Sequence, residues 1–190
     1  VRRAVFLDRD GTLTANRDFL VRAADLELVP GAAQAVARLN RAGWAVVVVT
    51  NQSGLARGLF DEEELEAIHA RLRDELLPGR VDGVYVCPHR AEDGCICRKP
   101  SPVLFERAAR ALGLDVGGSW IVGDKWTDLV PARALGCRAA LVRTGYGRDE
   151  EAAGPPGELR PDVVADDVAG AVEEILKRGQ EPFSAAEKGS

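Results

Sequence analysis

Residues 44–54 read Trp44-Ala45-Val46-Val47-Val48-Val49-Thr50-Asn51-Gln52-Ser53-Gly54. The β-branched run at 44–49 shows no polar alternation, which predicts a strand buried on both faces, as in a parallel sheet. At Thr50 the sequence turns polar, marking the carboxyl end of that strand. The same grammar repeats on both sides. Residues 31–42 carry helical spacing in Ala35, Leu39 and Ala42 and stop at Gly43. Residues 61–76 begin acidic, align Leu65, Ile68, Leu72 and Leu76, and end at Pro78-Gly79. Further strands are predicted at 3–7, 81–86, 119–122, 138–142 and 162–165, and further helices at 102–112, 127–135 and 167–178. Residues 145–161, rich in Gly, Pro and Glu, read as a surface loop, and 179–190 as a disordered tail. The alternation predicts an α/β fold over residues 1–178: one domain, a three-layer, doubly wound parallel sheet.

Composition bounds the function. The 190 residues carry 25 basic and 30 acidic side chains, a net charge of -5 and a pI near 5.2. Nucleic acids and anionic membranes reward a basic face, so neither is expected as a partner. No apolar run approaches the ~20 residues of a membrane span, and residues 4–7 are too short for a signal-peptide core. A cytoplasmic, monomeric protein is expected.

In a doubly wound sheet, ligands bind beyond the carboxyl ends of the strands. The first strand ends Asp8-Arg9-Asp10-Gly11-Thr12, the second at Thr50, and the fourth Gly123-Asp124-Lys125-Trp126-Thr127-Asp128. At period two, Asp8 and Asp10 point one way and Arg9 the other. Each segment alone could be a turn or a helix cap. Carboxylates converging on one edge from several strand ends instead call for a cation. The chemistry that fits is phosphoryl transfer to an aspartate. Asp8 would attack phosphorus, and Asp10 would protonate the leaving alkoxide and then deprotonate water. Mg²⁺ would sit on Asp8 and Asp124, while Thr50 and Lys99 would neutralise the equatorial oxygens.

Phe6-Leu7-Asp8-Arg9-Asp10-Gly11-Thr12-Leu13 resembles the first motif of the haloacid dehalogenase superfamily of aspartyl phosphatases. Thr50, Lys99 and the Gly123-Asp124…Asp128 segment resemble its other motifs. Within it, residues 48–58 and Cys97-Arg98-Lys99-Pro100 resemble the D-glycero-D-manno-heptose 1,7-bisphosphate phosphatases. The resemblance spans residues 4–178. It implies a phosphatase removing the C7 phosphate of a small phosphorylated sugar, with Asp8 as nucleophile and Asp10 as acid/base. It also implies Mg²⁺ on Asp8, the Asp10 main chain and Asp124. Substrate contacts are implied at Asn16, Arg17, Asp18, Phe19, Thr50, Asn51, Gln52, Ser53, Arg98, Lys99 and Lys125.

Cys87-Pro88-His89 and Cys95-Ile96-Cys97 place three thiols and an imidazole within residues 87–97. Disulfides are rare where thiols are kept reduced, and four such groups so close predict a tetrahedral, structural Zn²⁺ site. Its last ligand, Cys97, precedes Arg98 and Lys99, so the metal would fix the loop of residues 87–100 that delivers both cations. Arg98 is then available for a second anionic group of the substrate. Neither 11–30 nor 50–99 is long enough to hold a separate cap domain. Two other activities compete. Five residues separate His89 from Cys95, a length that also resembles histidinol-phosphate phosphatases. A receiver-like phospho-aspartate switch shares the sheet, the Mg²⁺, the threonine and the lysine, but not an Asp-x-Asp on the first strand or a zinc loop.

Overall fold

The computed structural model describes residues 1–179; the expected tail beyond Gly179 lies outside the described residues. Six strands form one parallel sheet: β1 (Arg2–Leu7), β2 (Ala45–Asn51), β3 (Gly83–Cys87), β4 (Leu114–Gly123), β5 (Arg138–Val142) and β6 (Val163–Ala165), in the order β3-β2-β1-β4-β5-β6. From β1 the chain builds outward through β2 to β3, then returns to β4 on the other side of β1. The topological switch therefore falls between β1 and β4, where a crevice opens at their carboxyl ends.

Alternate residues of each strand feed two separate cores. Val5, Leu7, Val46, Val48, Val122 and Val142 face helices α1 (Ala32–Arg41), α2 (Glu62–Glu75) and α7 (Val168–Arg178). Ala4, Phe6, Val47, Val49, Ile121 and Leu141 face α3 (Val103–Leu112) and the short helices α4 (Trp126–Leu129) and α5 (Pro131–Leu135). This double covering is what the unbroken valine run predicts. Two helices on the first face start on aspartate caps: Asp61 accepts from the Glu64 amide and Asp167 from the Gly170 amide, each at 2.9 Å. Among the described residues no cap domain is inserted, and no helix is long and apolar enough to cross a membrane.

Three expectations are corrected. The helix expected at 127–135 is two pieces, because Pro131 has no amide hydrogen to continue the ladder. The loop expected at 145–161 contains α6 (Gly147–Ala153), held by Trp126, whose indole Nε1 donates to the Glu150 carbonyl at 2.8 Å. Strand β4 begins at Leu114 rather than 119, with a register shift against β1 between Arg3 and Val5.

Candidate active site

The crevice is assembled from strand ends. Asp8 follows the last residue of β1, and its amide donates to the Val122 carbonyl of β4 at 3.0 Å, pinning the first carboxylate beside the second strand end. Asp124 follows β4, and Asp128 lies one helical turn further on, in α4. Oxygen atoms of Asp8, Asp124 and Asp128 all lie within 4.8 Å of one another.

Lys99 arrives from the loop after β3, and only 2% of its side chain is exposed. Its ammonium group has three protons to place. They go to Asp8 Oδ1 at 2.7 Å, Asp128 Oδ1 at 2.7 Å and the Val49 carbonyl at 2.8 Å. Burial by itself would lower its pKa, but Asp128 and Asp8 reverse the sign and hold it above the ordinary lysine value. Asn51 grips the same residue by its backbone: its amide oxygen accepts from the Lys99 N–H at 3.1 Å, and its amide nitrogen donates to the Lys99 carbonyl at 3.3 Å.

The acid cluster fits a hard divalent cation. Asp124 is fully buried; its Oδ2 accepts from the Tyr146 amide at 2.8 Å, and its Oδ1 is buried without any partner. An orphaned carboxylate oxygen is costly unless a cation meets it. Burial, then the nearby Asp8 and Asp128 charges, raise the Asp124 pKa to about 8. Burial raises that of Asp8 to about 7 against the opposing pull of Lys99. A divalent ion on Asp8 and Asp124 would relieve both, and oxygen-only donors suit Mg²⁺. Gly11 and Gly145, at φ +87° and +57°, press the backbone so close to the Asp124 carboxylate that a β-carbon at either would collide with it.

Asp10 is held apart from this cluster. Its carboxylate accepts from Arg9 Nε at 3.1 Å, Arg9 Nη2 at 2.9 Å and Gln52 Nε2 at 2.8 Å. Arg9 was expected to point away from its two neighbours; instead its buried side chain curls back onto Asp10. The strand ends at Leu7, so period-two alternation does not extend through residues 8–10. Gln52 Nε2 also donates to Thr50 Oγ1 at 2.8 Å, linking the two predicted residues.

One cavity of about 200 Å³ gathers the sequence-derived residues. Asp8, Asp10, Asn16, Arg17, Asp18, Phe19, Thr50, Asn51, Gln52, Ser53, Arg98, Lys99 and Lys125 all line it, with Asp124 buried beneath. Four further residues line it, Leu20, Thr127, Asp128 and Tyr146, and the last two bear on the chemistry. Asp128 was noted only as part of a motif, although its spacing of one helical turn from Asp124 signals a shared face. Tyr146 lies in the segment read as loop: Lys125 Nζ sits 4.1 Å from its ring centroid, and its hydroxyl lies 3.4 Å from Asp18.

The second cluster lies beside the first. Cys87 Sγ is 3.6 Å from Cys95 Sγ and 3.3 Å from Cys97 Sγ, and His89 Nδ1 is 3.7 and 3.3 Å from Cys87 and Cys97. Those separations are too long for disulfides, which need ~2.05 Å. They approach the ~3.8 Å edge of a tetrahedron built on ~2.3 Å zinc–sulfur bonds. The donor set therefore fits Zn²⁺, with no position left open. Arg98 Nη1 donates to the His89 carbonyl at 3.1 Å, and Arg90 Nη2 ties the loop to the Ala56 carbonyl at 2.7 Å.

A HAD-hydrolase-like family model matches residues 96–171. The chain is 43% identical over 180 residues to the D-glycero-β-D-manno-heptose-1,7-bisphosphate 7-phosphatase of Bordetella bronchiseptica, covering 92% of this chain and 98% of that one. The chain belongs to the heptose-bisphosphate phosphatase family. A second member, from Thermosynechococcus vestitus, is 41% identical over 187 residues, covering 92% and 95%. The crystal structure of the B. bronchiseptica D,D-heptose 1,7-bisphosphate phosphatase, complexed with magnesium and phosphate, superimposes with a TM-score of 0.86 over 93% of this chain and 99% of that one, at 42% identity.

Proposed function

We propose that this protein hydrolyses the C7 phosphate of D-glycero-D-manno-heptose 1,7-bisphosphate, with Mg²⁺ on Asp8, the Asp10 main chain and Asp124. The observation that carries the reading is the Lys99 ammonium, buried between Asp8 and Asp128 at the floor of a cavity whose mouth carries Arg98 and Lys125. A phosphoryl group needs a buried cation, an adjacent nucleophile and donors on its equatorial oxygens, and those are the groups present. The Mg²⁺ supplies positive charge to the phosphoryl oxygens when bound.

Asp8 attacks phosphorus, the bond from phosphorus to the C7 oxygen breaks, and Asp10 gives that oxygen its proton. An incoming phosphoryl oxygen takes the place of Asp8 on Lys99, whose three protons are otherwise all engaged. Thr50 donates to a second oxygen. Water then attacks the phosphoaspartate, passing a proton to Asp10, and inorganic phosphate leaves with Asp8 restored. Asn51 acts chiefly by holding the Lys99 backbone. Arg98 and Lys125 meet the second phosphate, with Asn16, Arg17, Asp18 and Phe19 forming the outer rim and Gln52 and Ser53 the inner one.

Zn²⁺ on Cys87, His89, Cys95 and Cys97 is structural in this reading, and residues 1–178 act as one domain. The enzyme is monomeric and cytoplasmic in this reading, and the acidic pI of 5.2 agrees with its having no nucleic-acid or membrane partner. The test is turnover, side by side with Mg²⁺, of heptose 1,7-bisphosphate, heptose 7-phosphate and histidinol phosphate. The bisphosphate should have the highest kcat/KM; a preference for histidinol phosphate would contradict the substrate assignment.

A further inference from the structure

Two buried side chains beside Asp10 have no part in that mechanism. Arg9 is 0% exposed and His69, from α2, is 3% exposed. A guanidinium removed from water needs acceptors for its N–H groups. Arg9 finds them on two sides: Nε and Nη2 form a bidentate fork on the Asp10 carboxylate, and Nη1 lies 3.3 Å from His69 Nε2. Burial, then the Arg9 charge, hold the His69 pKa down to about 4, so the ring is neutral near pH 7. A neutral ring facing a guanidinium presents its lone pair, so Nε2 accepts and Nδ1 carries the proton.

The partners of Asp10 differ in how readily they can let go. A carboxylate has about four acceptor positions. Arg9 takes two of them, Gln52 Nε2 a third, and the Thr14 hydroxyl, 3.2 Å from Oδ1, can take the last. Handling a proton requires one donor to yield. Gln52 has a second acceptor in Thr50 Oγ1 at 2.8 Å, and the Thr14 hydroxyl has one in the Arg9 carbonyl at 3.2 Å. Arg9 is neutralised by Asp10 and anchored on its far side by His69, so it is the partner that stays.

We propose that His69 is a positioning residue for the reaction: by accepting from Arg9 Nη1 it locks the guanidinium fork that aims the Asp10 carboxylate. The proposal rests on the reading of Asp10 as the proton carrier. Without that acceptor, Nη1 is buried and unpaired, and the guanidinium must turn away from Asp10 to find water or a carbonyl. The carboxylate then loses its fixed angle, while Asp8, Lys99 and the acid cluster keep theirs.

The test compares kcat/KM of the Mg²⁺-loaded protein over a graded series of phosphate monoesters, from a sugar phosphate through phenyl to 4-nitrophenyl phosphate. This quantity includes the step in which the leaving group departs, and nitrophenolate departs without a proton whereas an alkoxide needs one. His69→Leu should lose about ten- to a hundredfold on the sugar phosphate and no more than about threefold on 4-nitrophenyl phosphate. His69→Gln, whose amide oxygen can accept from Nη1, should recover most of the loss. His69→Asn, one methylene shorter, should not recover it, and it replaces His69→Leu if that variant does not fold. Asp10→Asn, run alongside, should show the same contrast more strongly. A uniform loss across the series in the His69 variants, with the contrast intact in Asp10→Asn, would overturn the role of His69 alone. No contrast in Asp10→Asn would overturn the reading of Asp10 and this proposal together.

Discussion

Lys99 Nζ and Asp8 Oδ1 lie 2.7 Å apart although 91 positions separate the two residues in the chain. The fold makes that contact by bringing the end of β1 beside the loop that follows β3, and Asp128 completes it from α4. A buried lysine between two acids is tolerable only while all three partners remain.

Removing the lysine should therefore affect rate and stability together. Lys99→Met leaves Asp8 and Asp128 facing each other without their cation, and breaking a buried pair costs about 3–5 kcal/mol. Turnover should fall by about 10²–10³-fold, as when a preorganised donor to a developing charge is lost. Thermal melting and kcat on the same preparation check both. A variant with normal kcat would remove Lys99 from the reaction.

The acid cluster makes the stability of the metal-free protein depend on pH. Asp8 and Asp124 have pKa values raised from 3.8 to about 7 and about 8, chiefly by burial. Groups with raised folded-state values bind more protons folded than unfolded, so their contribution is full below pH 3.8 and is lost as pH rises through 7 to 8. With chelator present, the melting temperature should fall across that window. With Mg²⁺ present, the fall should be much smaller, because the ion replaces the protons. Identical profiles with and without Mg²⁺ would mean the ion does not sit on these two carboxylates.

Zinc should matter to the loop more than to the fold. The four candidate ligands span residues 87–97; Cys87 and Cys97 are buried in the second core, but most of both cores is built on the sheet and helices elsewhere. Cys95→Ser should lose the metal and keep its far-ultraviolet circular dichroism. Arg98 and Lys99 would be less well placed, raising KM and lowering kcat together. Metal loss with unchanged kinetics would show that the loop delivers its cations unaided; loss of all secondary structure would make the site a determinant of the fold.

Arg98 should govern the choice of substrate. It is anchored at one end by the His89 carbonyl, 3.1 Å away, and it lines the cavity beside Lys99. A tethered planar fork suits a second phosphate. Arg98→Ala should reduce kcat/KM for the bisphosphate by about tenfold or more, as expected for a charge-assisted bond, and reduce that for a monophosphate much less. Equal losses on both would leave Arg98 without a role in specificity.

The chemistry was legible in the sequence wherever residue type changed abruptly at a strand end. Val49-Thr50 and Val122-Gly123-Asp124 mark those ends because a short, β-branched apolar run between breakers reads as a covered strand, and the polar residues after it fall at the crevice. The Cys87, His89, Cys95 and Cys97 cluster was legible because three thiols and an imidazole in so short a stretch have few other uses. The orientation of Arg9 was not: alternation is a property of extended strand, and the strand stops at Leu7. Tyr146 and α6 were hidden because Gly145, Gly147 and the later prolines dominate the local composition, while Glu150 and Trp126, which hold the helix in place, are far apart in sequence.

The central claim is that Asp8 carries the phosphoryl group. The direct measurement is to mix the Mg²⁺-loaded protein with substrate, quench with acid on the millisecond scale, reduce with borohydride and map the chain by mass spectrometry. A phosphoaspartate at position 8 would be reduced to homoserine there, transiently and only with substrate present. Turnover under the same conditions with Asp8 unmodified at every time point, or homoserine at Asp10 or Asp128 instead, would contradict the account.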